Sequence, residues 1–199
     1  MSNVLPDYLP GRFTIERGAY RHYRSLEPFH YRSGPPGNWD QIWIIRYEME
    51  RITHAYRRRE TDGPITVRGD ASQVTPVAIG VLSWPVAFVK QRNDHFGLSH
   101  APVRQRLRFA NDHVRTISRI IVHPQFRSIG LASFLIRHLC AHCPTRYVEA
   151  LAVMGRVHPM FERAGMTRFE PSRPDGPVYY LFDRTPESPA DSDEVHVNT

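Results

Sequence analysis

The stretch 117–139, ISRIIVHPQFRSIGLASFLIRHL, joins an apolar run, a proline stop, an arginine, a glycine three residues later and an amphipathic run. Read as a strand ending at His123-Pro124, a loop carrying Arg127 and Gly130, and a helix bearing Leu131, Phe134, Leu135 and Leu139, this order makes an anion cradle. The first-turn N–H groups of such a helix have no intrahelical partner, and the helix dipole favours negative charge beside them. A pyrophosphate is the natural ligand. Gly130 lets the main chain approach it closely, and Ala132 is small enough not to obstruct it. The candidate ligand-binding set is Arg127, Ser128, Ile129, Gly130, Leu131 and Ala132.

Other polar residues stand out against apolar surroundings. Glu149 is central in the strand-like run RYVEALAVM, where a carboxylate is costly unless it is used or paired. Burial there raises its pKa and makes it a candidate general base, with a salt bridge to Arg119 or Arg146 as the plainer role. Ser118, two residues before Ile120, alternates onto the face of Ile120 and Val122, where it either bonds a substrate or fills a small space. His138, Cys140, His142 and Cys143 fall within six residues. One helix puts the two histidines on a shared face but turns Cys140 away, and no second Cys/His pair at finger-like spacing follows, so no metal site is expected. The two cysteines are too few and too close for a disulfide framework and read as reduced thiols.

The elements that position these residues follow from hydrophobic periodicity. RFTIER (12–17) alternates as a short strand, and GAYRHYRSLEPF carries Tyr20, Tyr23 and Leu26 at helical spacing. HYRSGPPGNWD is a Gly/Pro loop, QIWIIRYEME a strong strand, and 57–75 a mobile connection. The strands PVAIGVLSW and VRTISRIIV end at Pro85 and Pro124. The segment 85–113 between them holds Arg92, Arg104, Arg106 and Arg108 with Phe88, Phe96 and Phe109. A connection of that length is usually functional, which makes it a candidate for substrate recognition. The helix LASFLIRHLCAH, the strand RYVEALAVM, a short helix HPMFERAG and a last strand PVYYLFD complete the order.

At 199 residues and 41% hydrophobic content the chain suits a single domain, here 1–184. No membrane span or secretory leader is legible, so a cytoplasmic location is expected. Residues 185–199 hold Glu187, Asp191, Asp193 and Glu194 without Lys or Arg, and read as a disordered acidic tail. The net charge of +6 rises to +10 without that tail, from 26 basic against 16 acidic residues, and Lys90 is the sole lysine. So arginine-rich a body suits a polyanionic ligand or partner, although solvated surface accounts for the charge equally well.

Arg127-Ser128-Ile129-Gly130-Leu131-Ala132 resembles the Arg/Gln-x-x-Gly-x-Gly/Ala signature of the GNAT superfamily of N-acetyltransferases. Val122-His123-Pro124 before it is similar to the family's Val-x-Pro strand end, and Phe161-Glu162-Arg163-Ala164-Gly165-Met166 to its Tyr/Phe-Glu-x-x-Gly-Phe helix end. The three in this order make 114–166 the acyl-CoA-binding core. The resemblance implies an α/β fold with a mixed central sheet, flanked by helices and splayed between its fourth and fifth strands. Acetyl-CoA would be the co-substrate, its pyrophosphate at 127–132 and its pantetheine arm along the main chain of Ile120, Ile121 and Val122. The implied reaction is direct transfer of acetyl to a primary amine, which needs a base, oxyanion stabilisation and an acid for the departing thiolate.

Many family members place a tyrosine acid where this chain has Phe161, which cannot donate a proton. Tyr147, Tyr179 and His158 are the substitutes, and a thiolate whose thiol pKa is near ~8.5 needs little help in leaving. The loop after the first helix borders the acceptor in this family, making Glu27, His30 and Tyr31, with Ser118, candidate acceptor contacts. An amine on an amino-modified nucleotide or DNA base would suit the basic body. Two other classes compete. A nucleic-acid binder without catalysis would use the RRR run at 57–59 and the Arg/Phe segment, and a CoA-sensing protein of GNAT fold would explain Phe161.

Overall fold

In the computed structural model, which describes residues 11–31, 34–49, 76–171 and 173–184, seven strands form one sheet in the order β1-β2-β3-β4-β5-β7-β6. The strands are β1 (Gly11–Arg17), β2 (Trp39–Met49), β3 (Pro76–Ser83), β4 (Val114–Val122), β5 (Tyr147–Ala152), β6 (Thr167–Phe169) and β7 (Val178–Asp183). Four helices accompany them: α1 (Tyr20–Leu26), α2 (Lys90–His95), α3 (Val103–His113) and α4 (Leu131–Ala141). All neighbouring strands are antiparallel except β4 and β5, which makes the sheet mixed, as expected. The RRR run, the connection 57–75 and the acidic tail lie outside the described residues.

Each face of the sheet has its own cover. On one, Leu131, Leu135, Ile136 and Leu139 of α4 pack on Ala78, Leu82, Ile117, Val148 and Ala150. The 3.6-residue spacing of those α4 side chains gives the helix its buried stripe. The approach is close because Gly80 offers no side chain: a Cβ there would stand 2.7 Å from Leu139 Cδ1. On the other face, Tyr23 and Leu26 of α1 cover Ile42, Ile44, Ile79, Val81 and Ile121. Tyr20 stays 37% exposed and stacks on Tyr23, so the expected three-residue stripe is a two-residue stripe with an aromatic margin.

The 85–113 segment is folded, with α2 and α3 inside it. Its Val89 and Phe96 pack with Tyr147, Phe169, Tyr179 and Leu181. On β5 the residues beside Tyr147 in the alternation are Glu149 and Leu151, because Val148, Ala150 and Ala152 belong to the α4 face. The segment therefore covers β5 and β7 on the α1 side of the sheet. The run HPMFERAG forms only a 3-10 turn at Glu162–Ala164, closed by Gly165 at φ 90°. That left-handed residue stops the turn before a helix can propagate.

Candidate active site

β4 and β5 pair in parallel only from Val114↔Tyr147 to Thr116↔Glu149, then part. Residues 117–122 continue on β3 alone, with Ile120, Ile121 and Val122 opposite Gly80, Ile79 and Ala78. Among the described residues, the cleft side of β4 thus has main chain without a strand partner, at the positions expected to meet a pantetheine arm.

Beyond β4 the chain makes a 3-10 turn at Pro124–Phe126 and enters α4. Gly130 is the N-cap at φ 89°, ψ −1°, no side chain caps the helix, and Ser128 too is left-handed at φ 66°. The uncapped helix start leaves its first-turn N–H groups as donors without an intrahelical partner. A Cβ on Gly130 would meet nothing within 4 Å, so the space above the turn is open. A diphosphate fits this donor set.

Arg127 is exposed and folded back: Nε donates to the carbonyl of Val122 (3.2 Å) and Nη2 to that of Phe29 (3.2 Å). Phe29 also meets the His123 ring edge-on at 4.8 Å. The turn is therefore tied to the segment after α1 that holds Glu27, His30 and Tyr31. Glu27 pairs with Arg24 (3.5 Å), while the rings of His30 and Tyr31 lie 4.6 Å apart, Tyr31 being 66% exposed.

Ser118 departs from the expected alternation. Leu82 faces Ile117 and Val81 faces Arg119, leaving Ser118 as the extra residue of a β-bulge. A bulge inserts one unpaired residue and resets the facing of those beyond it. Ile117 thus joins Ile120 and Val122 on the α4 face. Ser118 turns to β3 instead, its hydroxyl 2.6 Å from that of Ser83 and 3.4 Å from the Val81 carbonyl. Neighbouring Arg119 reaches the loop before β2, with Nη2 donating to the Pro35 carbonyl (3.4 Å).

Glu149 is fully buried and its partner is Arg92 of α2, at 3.0 Å with neither side chain exposed, rather than Arg119 or Arg146. Arg146 pairs with Asp183 through both ends of its fork. Thr116 donates to Glu149 Oε1 (2.8 Å) and Tyr179 to Oε2 (3.1 Å). Burial pushes the Glu149 carboxyl above the ordinary carboxylate range, while the Arg92 charge and the two hydroxyls pull it back. The same burial, with the neighbouring carboxylate, raises the Tyr179 hydroxyl.

The remaining candidates are dispersed. Tyr147 lies within an aromatic group, 4.7 Å from Phe96 and 6.3 Å from Phe109, below the point where β4 and β5 part. His158 is exposed on the loop beyond β5, its N–H bonded to the Met154 carbonyl. Phe161 is buried and stacked on Tyr180 at 4.8 Å, and the Tyr180 hydroxyl is held by Gly155 O and Glu162. Burial, then the Glu162 bond, pushes that hydroxyl up to about 12. Among the described residues no three His, Cys, Asp or Glu side chains gather as a metal would need. No helix among them is long and apolar enough to cross a membrane.

Residues 49–166 match the model of the acetyltransferase (GNAT) family, a span that includes the parting strands and the uncapped turn. The chain belongs to the GNAT family. Similar solved structures include the aminoglycoside acetyltransferase AAC(6')-Ib with coenzyme A and kanamycin, 12% identical over 87% of this chain and 95% of that one, at a TM-score of 0.48. Another is yncA of Salmonella typhimurium, assigned as an acetyltransferase, with its cofactor acetyl-CoA (10%, 92% and 99%, 0.49). A third is a variant of the spermidine N-acetyltransferase SpeG of Vibrio cholerae (8%, 86% and 94%, 0.48). No curated protein matches the chain. At the site of this GNAT domain, the bulge at Ser118 and the partnership of Arg92 with Glu149 escaped sequence reasoning. A buried carboxylate does signal that a cation is near, but the cation lies 57 residues away.

Proposed function

We propose that this GNAT protein is an acetyl-CoA-dependent N-acetyltransferase acting on a primary amine. The observation that carries this reading is the uncapped start of α4 behind left-handed Gly130, which the chain reaches beyond the stretch of β4 that has parted from β5. The first-turn N–H groups at 130–132 would hold the pyrophosphate, with Ser128 and Ile129 shaping the turn and Arg127 fixing it to Phe29. The main chain of Ile120, Ile121 and Val122 would hold the pantetheine amides. Acetyl-CoA, when bound, supplies an activated carbonyl whose leaving thiolate is stable.

The acceptor side is the α1 face of β4, between the segment after α1 and α2. Ser118 and Arg119 sit on its floor, and Glu27, His30 and Tyr31 lie towards its α1 edge. An amine entering here meets no free carboxylate in Glu149, which is fully buried and accepts from Arg92 and Thr116 on Oε1 and from Tyr179 on Oε2. Deprotonation of the amine through water is then the simplest route, with His158, exposed on the loop beyond β5, as the candidate proton relay and Tyr147 a packing residue. Phe161 offers no proton, so the thiolate departs unassisted or takes a proton from water.

The test is thermal unfolding with and without acetyl-CoA, followed by release of free thiol in the presence of amines. Binding at 100 times Kd stabilises by about 2.7 kcal/mol; an unmoved midpoint would sink the reading. The acceptor class is addressed by charge. Arg104 and Arg108 of α3 are exposed, and Arg106 lies over exposed Phe88 at 5.4 Å, an arrangement suited to a polyanionic carrier of the amine, such as an amino-modified nucleotide or DNA base. Transfer to such a carrier should weaken steeply with salt, whereas transfer to a small neutral or cationic amine should not.

A further inference from the structure

We propose that Arg92 and Glu149 are positioning residues that hold the 85–96 segment as one wall of the acceptor groove. The guanidinium of Arg92 joins three groups of two elements. Nη1 reaches Glu149, while Nη2 donates to the carbonyls of Val86 (2.8 Å) and Ala87 (3.1 Å), both in the stretch leading from β3 into α2. Glu149 in turn binds Thr116 of β4 and Tyr179 of β7. One ion pair therefore ties the segment to β4, β5 and β7, and it does so at the last rung before β4 and β5 separate. The next outward residue on that face of β5 is Leu151, 37% exposed beside the cleft.

Hydrophobic packing alone does not fix this wall. Val89 and Phe96 anchor the two ends of α2, but Val86 and Phe88 are 56% and 63% exposed, so the approach to the helix has little burial to hold it. Its carbonyls are held by Arg92. A buried pair of this kind adds little net stability over an apolar pair of equal volume, since desolvation offsets attraction, and its contribution is geometric. A lysine could neutralise Glu149 but, as a point charge without a fork, could not also hold both carbonyls.

The inference rests on the acetyltransferase reading, and its test separates the two. In Arg92→Lys the charge pair survives, so the fold and the thermal shift produced by acetyl-CoA should be unchanged. Amide exchange over 86–96 should accelerate about tenfold or more, with other segments unaffected. With spermidine, kanamycin and a lysine peptide as amine probes, KM for the amine should rise about tenfold while KM for acetyl-CoA stays within about twofold. If Arg92→Lys does not fold, the double variant Arg92→Met with Glu149→Leu removes both charges and is read the same way. Native exchange over 86–96 with a native amine KM in the folded variant overturns the proposal. So does a Glu149→Gln variant whose sole defect is a displaced acidic limb of the pH–rate profile, which would make the carboxylate a base. Should the unaltered protein acetylate none of the three amines, the acetyltransferase reading loses its support, while exchange still decides whether Arg92 seats the segment.

Discussion

The Nη2 atom of Arg127 donates to the carbonyl oxygen of Phe29 at 3.2 Å, joining the turn before α4 to the segment after α1. Sequence spacing makes Arg127 a phosphate ligand, but its guanidinium holds main chain on both sides: Val122 at the end of β4 and Phe29 across the groove. Its effect on an anion is therefore partly through the turn it fixes. Arg127→Ala should raise the Kd for CoA about tenfold and lower unfolding free energy by no more than ~1 kcal/mol, because the side chain is exposed. Calorimetric titration and urea unfolding measure the two effects. A large loss of stability with unchanged Kd would make the arginine a structural clamp only.

Gly130 separates backbone strain from occupancy. At φ 89° an alanine is strained by about 1 kcal/mol, yet its Cβ meets nothing within 4 Å, so Gly130→Ala should fold and bind CoA more weakly. Gly130→Glu projects a carboxylate into the space in front of the free N–H groups and should abolish binding by repulsion as well as bulk. Equal affinity in the glutamate variant and the native protein would refute the cradle.

The strands were legible because their alternation is strong, and the cradle because a strand stop, an arginine and a glycine fall at fixed spacing. Pairing across the chain was not. The bulge at Ser118 arises from how β3 and β4 register, which no local pattern encodes, and it moves that serine off the face assigned to it by simple alternation. The partner of Glu149 came from the 85–113 segment, where four arginines look alike in sequence and only Arg92 turns inward from α2 to full burial. β6 was missed because three residues at a sheet edge, two of them exposed, carry no hydrophobic signal. Tyr147 and Glu149 alternate onto one face, and that face is covered by α2 and its flanks rather than open to an acceptor.

Gly80 sets how near α4 lies to the sheet. An added Cβ would stand 2.7 Å from Leu139 Cδ1 and 3.1 Å from Leu135 Cγ, both side chains fully buried. Neither can retreat without disturbing the core, so Gly80→Ala should cost about 1–3 kcal/mol in urea unfolding. Because α4 also carries the cradle at its other end, the same variant should weaken CoA binding. Stability equal to the native protein would show that α4 can lift from β3 freely.

His138 provides a pH test of the α4 face. Its ring stacks on His142 at 3.9 Å and meets Trp43 edge-on at 4.4 Å, and Trp43 is itself covered by Arg17 at 4.1 Å. Burial first, then the His142 and Arg17 charges, carry its pKa from 6.5 down to about 4. The unfolded chain therefore takes up a proton below pH 6.5 that the folded chain refuses until about pH 4. Stability from this residue is complete above the unfolded pKa and declines as pH falls through that window, by about 1–2 kcal/mol once solvent screening of a partly exposed ring is allowed for. His138→Phe keeps an aromatic partner for Trp43 and removes the proton site, so urea midpoints at pH 7 and pH 4.5 should converge relative to those of the native protein. Carboxylates titrate in both proteins and cancel in the difference; parallel pH dependence in the two would place the refused proton elsewhere.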